Sequence, residues 1–153
     1  MDKEFYIILS SVLKNDAYKL MKYESCHGTN KYDHMIRVAY KSFVYAKKKG
    51  LDYISITRGA LLHDFAFNQQ MDNDGLTKRK KLSKHPEYAL NTSLNYFYLN
   101  DIEKDIIISH MFPIGKRIPR YKESYIVSYY DKKIALNEFK TYKWRFKESK
   151  KNM

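Results

Sequence analysis

Four histidines and two aspartates have the residue types and the spacing that metal chemistry requires. They are His34, the adjacent pair His63-Asp64, His85, His110 and Asp131. Imidazole and carboxylate groups bind divalent ions of iron, manganese, nickel or zinc, and the affinity order alone does not select one metal. Neighbouring residues on a helix diverge by roughly 100°, so His63 and Asp64 would flank an ion placed between their directions. Because a carboxylate has a second oxygen, Asp64 could also bridge to another ion. We therefore expect one or two divalent metal ions as the cofactor.

The pattern of apolar residues predicts the helices that must carry these side chains. Only five Gly and three Pro interrupt the chain, and apolar residues recur at helical intervals, which is typical of an all-α fold. We predict a bundle of about six helices, at roughly 3–22, 32–49, 52–65, 85 onwards, 101–111 and 121 to at least 139, with a polar loop at 66–82. Gly50 is expected to end the second helix, Pro86 to open the fourth and Asn100 to cap the fifth.

Two of the candidate ligands fall on apolar faces of their predicted helices. His110 follows Ile106 by four residues, so its ring continues an apolar stripe. On the last helix, Asp131 shares a face with Ile134 and Glu138. An ionised carboxylate is costly to bury unless it is paired or coordinates a metal. Asp131 therefore needs a partner inside the molecule.

The composition suits a single domain over residues 1–153. The chain has 153 residues, of which 44% are hydrophobic, and domains commonly contain roughly 100 to 150 residues. No apolar run reaches the roughly 18 residues of a membrane span, and the first residues lack the basic region of a secretory signal, so we expect a cytoplasmic protein without membrane contact. Cys26 is the only cysteine, which excludes an internal disulfide and a thiolate cluster for zinc.

The charge of the chain indicates partners that carry phosphate. A formal net charge of +12 favours nucleic acid, anionic lipid or a phosphorylated substrate, although nucleotide bias in a genome could also produce it. A basic aromatic extension at 140–153 could stack on single-stranded nucleic acid, or it could pack its rings on the bundle. We favour packing because a small bundle needs apolar cover. Nucleic acid is therefore the less favoured partner.

The ordered set of ligands resembles the HD superfamily of metal-dependent phosphohydrolases. The resemblance runs from His34 in Asp33-His34-Met35-Ile36-Arg37-Val38-Ala39, through Leu61-Leu62-His63-Asp64, to Asp131 in Tyr130-Asp131-Lys132, and covers about two-thirds of the chain. Two further histidines, in Lys84-His85-Pro86 and Ser109-His110-Met111, look like those of binuclear members such as the HD-GYP phosphodiesterases and inositol oxygenase.

The resemblance implies a helical HD-domain bundle with two metal ions. By that similarity, one ion would be held by His34, His63, Asp64 and Asp131, and the other by Asp64, His85 and His110. The chain departs from the HD-GYP pattern, since no lysine shortly follows the His63-Asp64 pair and the Gly-Tyr-Pro signature is missing. We therefore do not expect cyclic-dinucleotide hydrolysis, and the chain looks closer to small, single-domain HD proteins.

The activity that follows is hydrolysis of a phosphorylated small molecule, which could be a nucleotide, by attack of a metal-activated hydroxide on phosphorus. Asp64, Arg37 and Lys132 are the expected catalytic residues. Arg37 lies one turn beyond His34 and could hold a phosphate oxygen bound at the metal, or it could serve only in a surface ion pair. Lys132 and His27 are the further candidates for substrate binding.

Two other functions use the same residues. By resemblance to inositol oxygenase, the chain could be a diiron oxygenase that cleaves a C–C or C–P bond. It could also be a degenerate HD protein that binds a nucleotide or nucleic acid without catalysis, although the presence of all six ligands disfavours this function. The sequence leaves the substrate, the metal and the oligomeric state open.

Overall fold

The computed structural model describes residues 2–153 and confirms the all-α class. Eight α-helices span Lys3–Leu13 (α1), Asp16–Lys19 (α2), Lys31–Lys49 (α3), Tyr53–Leu62 (α4), Asn68–Asn73 (α5), Lys78–Tyr96 (α6), Asp101–Ser109 (α7) and Lys122–Lys151 (α8). A 3₁₀ helix follows α2 at Leu20–Tyr23, and two short antiparallel strands, β1 at Ser25–Cys26 and β2 at Thr29–Asn30, form a hairpin before α3. None of the helices within residues 2–153 is both long and apolar enough to cross a bilayer.

The caps of the central helices agree with the sequence. The Asn30 side chain accepts a hydrogen bond from the backbone N–H of Asp33 and starts α3, which ends at Gly50 as predicted. The Asn100 side chain accepts from the N–H of Glu103 at the start of α7, also as predicted. These side chains satisfy backbone N–H groups that have no partner within the helix.

The apolar core lies where α3 and α4 pack together, with α1 on one side and α7 and α8 on the other. Phe5, Phe43, Ile56 and Leu61 are almost completely buried there. Gly59 allows α7 to approach α4 closely, because an added Cβ at this position would lie 2.7 Å from Cδ1 of Ile106. This close approach brings the C-terminal ends of α4 and α7 side by side.

Three predicted boundaries were wrong. The first predicted helix is divided into α1, α2 and the 3₁₀ helix, because Asn15 caps a new helix start. The predicted loop at 66–82 contains α5 and the first turn of α6, which starts at Lys78 with Thr77 as its cap. Pro86 therefore lies inside α6 and does not open it. A proline in a helix interior removes one backbone donor, which disfavoured this assignment from the sequence.

The expected packing of the C-terminal extension was also wrong. The helix α8 continues without interruption to Lys151, and the side chains of Tyr142, Trp144 and Phe146 are exposed. At about 1.5 Å per residue, the 30 residues of α8 extend well beyond the 19 residues of α3 against which α8 packs. These exposed rings therefore do not give the bundle the apolar cover that was expected.

Candidate metal centre

Four imidazole rings lie in a row at the centre of the bundle. Their order is His34, His63, His110 and His85, and neighbouring ring centroids are 5.4, 4.9 and 4.9 Å apart. His34 and His63 are completely buried, and His110 is 1% exposed. The four histidines lie on α3, at the end of α4, at the end of α7 and in the middle of α6, respectively. Residues separated by up to 76 positions along the chain are therefore brought into one cluster.

The Asp64 carboxylate lies between the two halves of this row. Its Oδ1 is 3.3 Å from Nε2 of both His85 and His110, whereas its Oδ2 is 3.4 Å from Nε2 of His63. On the side of Oδ2, the Asp131 carboxylate from α8 closes the cluster, with Oδ1 2.8 Å from Nε2 of His34 and 3.2 Å from Nε2 of His63. Asp64 is thus shared by two sets of imidazoles, one oxygen facing each.

We call His34, His63 and Asp131, with Oδ2 of Asp64, the inner group, and His85 and His110, with Oδ1 of Asp64, the outer group. In each group the possible ligand atoms lie within 4.8 Å of one another, so each group can hold a metal ion. Two ligand atoms about 2.1 Å from a common ion and roughly 90° to 110° apart are separated by about 3.0 to 3.4 Å. The closest contacts in both groups are near this range.

The Nδ1 atom of each histidine is held by an acceptor outside the cluster. Nδ1 of His63 lies 2.6 Å from the carbonyl oxygen of Ala60, and Nδ1 of His110 lies 2.7 Å from that of Ile107. Both carbonyls belong to the last turn of a helix, where the regular hydrogen bond to the N–H four residues later is no longer made. Since a carbonyl only accepts, each ring must carry a proton on Nδ1, so Nε2 is the nitrogen that faces the cluster.

His85 achieves the same arrangement in a helix interior because Pro86 follows it. Its Nδ1 lies 2.9 Å from the carbonyl oxygen of Leu82. In a regular helix that carbonyl would accept the N–H of the residue four positions later, which is residue 86. Proline has no N–H, so the Leu82 carbonyl is free for the imidazole. The sequence His85-Pro86 therefore has a physical reason that differs from the one predicted.

The outer group brings the Nε2 atoms of two histidines close to one carboxylate oxygen. Nε2 of His85 and Nε2 of His110 are 2.9 Å apart, and Oδ1 of Asp64 is 3.3 Å from both. Burial lowers the pKa of His110 and outweighs the opposing effect of the Asp64 carboxylate. The His110 imidazole is therefore neutral, and its lone pair faces the other two acceptors. A cation between these atoms would relieve their mutual repulsion.

The inner group carries protons where a cation would otherwise lie. Burial lowers the pKa of His34, but hydrogen bonds to Asp131 and Glu138 outweigh it and raise the pKa to about 9. The pKa of His63 is likewise raised above its usual value, because the Asp64 and Asp131 charges outweigh burial. Burial raises the pKa of Asp131, but the neighbouring histidines outweigh it and hold the pKa well below its usual range. Both carboxylates of this group are ionised and available as ligands.

Glu138 is a residue of the site that the sequence did not identify as functional. Its Oε2 accepts a hydrogen bond from Nδ1 of His34 at 2.9 Å, and its Oε1 accepts from the Arg37 guanidinium at 2.9 Å. The signal was present, because Glu138 lies on the same face of α8 as Asp131, seven residues later. The guanidinium of Arg37 is thus engaged in an ion pair, which was one of its two predicted roles.

The other predicted substrate residues lie beside the cluster. The ammonium of Lys132 donates to the carbonyl oxygen of His110 at 2.7 Å and to the Ser128 hydroxyl at 2.9 Å, so it secures the end of α7. The exposed ring of His27, at the turn of the hairpin, lies edge-on to the ring of His34, with centroids 5.7 Å apart. Burial and nearby carboxylates raise the pKa of the Cys26 thiol, which disfavours it as a nucleophile.

The family models, the curated proteins and the solved structures that were compared with this chain gave no match. The helical fold and the clustered histidines and aspartates are compatible with an HD-like site.

Proposed function

We propose that this chain is a phosphohydrolase that uses two divalent transition-metal ions, drawn from iron, manganese, nickel and zinc, to hydrolyse a phosphorylated small molecule or a nucleotide. One observation carries the proposal: the two oxygens of Asp64 face two separate sets of imidazoles. A shared carboxylate can hold two ions close together. Two ions roughly 3.5 to 4 Å apart activate water and stabilise the entering and leaving oxygens of a phosphoester.

The protein supplies orientation and access. Carbonyl oxygens at Ala60, Leu82 and Ile107 and the Glu138 carboxylate fix the four imidazoles with Nε2 facing inward. His85 has the most exposed side chain of the cluster, at 19%, whereas Asp64 and Asp131 are both 11% exposed and His34 and His63 are completely buried. A substrate would therefore approach the centre from the side of the outer group.

The Asp64→Asn variant tests this proposal. The amide keeps the size of the side chain but removes the charge shared by both groups, so we expect loss of both metal ions and at least a hundredfold loss of p-nitrophenyl phosphate ester hydrolysis. Metal per chain and release of p-nitrophenol are the two readouts. Full metal content with undiminished hydrolysis would contradict the assignment.

Asp105→Asn is the matched control. Asp105 is also buried, but its carboxylate accepts hydrogen bonds from the Arg120 N–H and the Ser124 hydroxyl and lies outside the cluster. We expect this variant to be less stable yet to retain its metal.

Phosphate release is measured alongside oxygen uptake by the iron-loaded protein, and oxygen uptake without phosphate release would favour an oxygenase.

A further inference from the structure

A cavity lies next to the metal centre but outside it. It encloses about 440 Å³ between α3, the hairpin and the second half of α8, which is within the range of roughly 300 to 1,000 Å³ for small-molecule sites. Gly28, at the tip of the hairpin, is in such close contact with Tyr142 that an added Cβ would lie 2.5 Å from the ring. The hairpin thereby closes one end of the cavity and holds the Tyr142 ring in place.

The lining of this cavity is cationic. Arg37, Lys41 and Arg145 contribute three positive charges, and Glu138 contributes the one negative charge. Glu138 neutralises Arg37, to which it is bound at 2.9 Å. In the part of the chain that the structure describes, neither Lys41 nor Arg145 has a carboxylate within 4.0 Å. Two cationic side chains are therefore available to an anionic ligand.

Aromatic rings accompany these charges. Tyr40 and Tyr142 both line the cavity, and they are 40% and 50% exposed. A tyrosine ring beside basic groups can stack on a nucleobase while the cations neutralise its phosphate. The combination favours a nucleoside phosphate over a simple inorganic anion.

The cavity and the metal centre lie at opposite edges of the His34 ring. Nε2 of His34 faces Asp131 in the inner group, whereas Nδ1 faces Glu138 in the cavity wall. The Glu138 carboxylate and the His34 ring therefore lie between a ligand in the cavity and the inward-facing Nε2 atom of His34. Such a ligand would act as a second ligand and not as the reacting group.

We propose that this cavity binds a nucleoside phosphate, with the phosphate on Lys41 and Arg145 and the base against Tyr142.

The test is a calorimetric titration of the full chain with adenosine 5′-(α,β-methylene)diphosphate. We expect saturable binding that weakens about tenfold or more in Lys41→Met and in Arg145→Met, since each loses a charge-assisted hydrogen bond. The matched control is Lys48→Met, an exposed lysine of α3 that does not line the cavity. We expect this variant to bind as the wild type does. Equal weakening by Lys48→Met, or no saturable binding, overturns the proposal.

Two further variants show where the analogue binds. Tyr142→Leu is expected to weaken binding of the nucleotide analogue but not of inorganic pyrophosphate, whereas equal binding of the two by the wild type would overturn the assignment of a base. Asp64→Asn is expected to bind the analogue as the wild type does, because Asp64 does not line the cavity. If Asp64→Asn abolishes binding and Lys41→Met does not weaken it, the analogue binds at the metal centre and the proposal fails, while the proposed hydrolase function stands.

Discussion

The inner and outer groups of the cluster differ in charge, burial and support. The inner group combines two imidazoles with oxygens from two carboxylates. Glu138 accepts a hydrogen bond from Nδ1 of one of these imidazoles, that of His34. The outer group combines two imidazoles with a single carboxylate oxygen, and both of its rings are held by neutral carbonyls. His34 and His63 are completely buried, whereas the side chain of His85 is 19% exposed.

This difference assigns distinct roles to the two halves. Two carboxylates in a buried site favour a doubly charged ion far more than one does. We therefore expect the inner ion to bind first and to exchange slowly. The outer ion, more weakly held and nearer to solvent, is expected to exchange readily and to face the substrate.

The largest expected effect is a difference in metal content between Asp131→Asn and His85→Gln. Asp131→Asn removes one of the two carboxylates of the inner group, so we expect both ions to be lost on dialysis. His85→Gln removes a ligand of the outer group alone, and we expect it to keep the inner ion and lose the outer one. Metal per chain after dialysis is the measurement. Retention of both ions by Asp131→Asn, or loss of both by His85→Gln, would reverse the ranking of the two groups.

The pH dependence of metal binding sharpens the same comparison. Ligating histidines must be deprotonated, and the pKa of His34 in the metal-free protein is about 9 while that of His63 is also raised. The affinity for the inner ion should fall about tenfold per pH unit below 9 for each proton displaced. The pKa of His110 is lowered, so this residue gives up no proton to the outer ion. Calorimetry in buffers of different ionisation enthalpy counts the protons released.

Stability of the metal-free protein follows from the same raised pKa. A histidine whose folded pKa exceeds its unfolded value stabilises the fold fully below about 6.5, and this contribution is lost as the pH rises through about 9. Over this pH interval we expect the thermal midpoint of the metal-free wild type to decrease by more than that of metal-free His34→Gln. If the thermal midpoints of the wild type and of His34→Gln depend on pH in the same way, His34 does not carry the proton assigned to it.

A smaller effect is expected from Pro86→Ala. The alanine restores an N–H that competes with His85 for the Leu82 carbonyl, so the imidazole loses its fixed orientation. Loss of such a supporting hydrogen bond weakens metal binding by about 10 to 100-fold. We expect the loss to affect the outer ion only, whereas helix stability increases because proline is removed. Competition with a chromogenic chelator measures the affinity of the inner and of the outer group for metal. An unchanged affinity of the outer group would show that Pro86 does not position His85.

The sequence predicted the members of the cluster better than their surroundings. His110 continues an apolar stripe, and Asp131 is a carboxylate on an apolar face, so local patterns alone indicated their burial. Glu138 lies on the same face as Asp131, but its partner His34 is 104 residues away. The shared face was a local signal of burial, but no local pattern identifies a partner so distant along the chain.

The misplaced start of α6 has a local cause. Lys78 to Lys81 form a charged run followed later by Pro86, and both features favour a loop when they are considered alone. Thr77 caps the run, and α7 packs against the helix that follows. The length of α8 beyond the bundle was hidden for a different reason, since its aromatic residues have the spacing of a buried face although their side chains are largely exposed.

The central claim is that Asp64 joins two metal ions, and anomalous X-ray diffraction from crystals of the metal-loaded chain tests it most directly. We predict two anomalous peaks, one on either side of the Asp64 carboxylate, with Nε2 of His34 and His63 on the first and Nε2 of His85 and His110 on the second. A single peak bound by only one of these histidine pairs, or no peak among the four imidazoles at saturating metal, would contradict it.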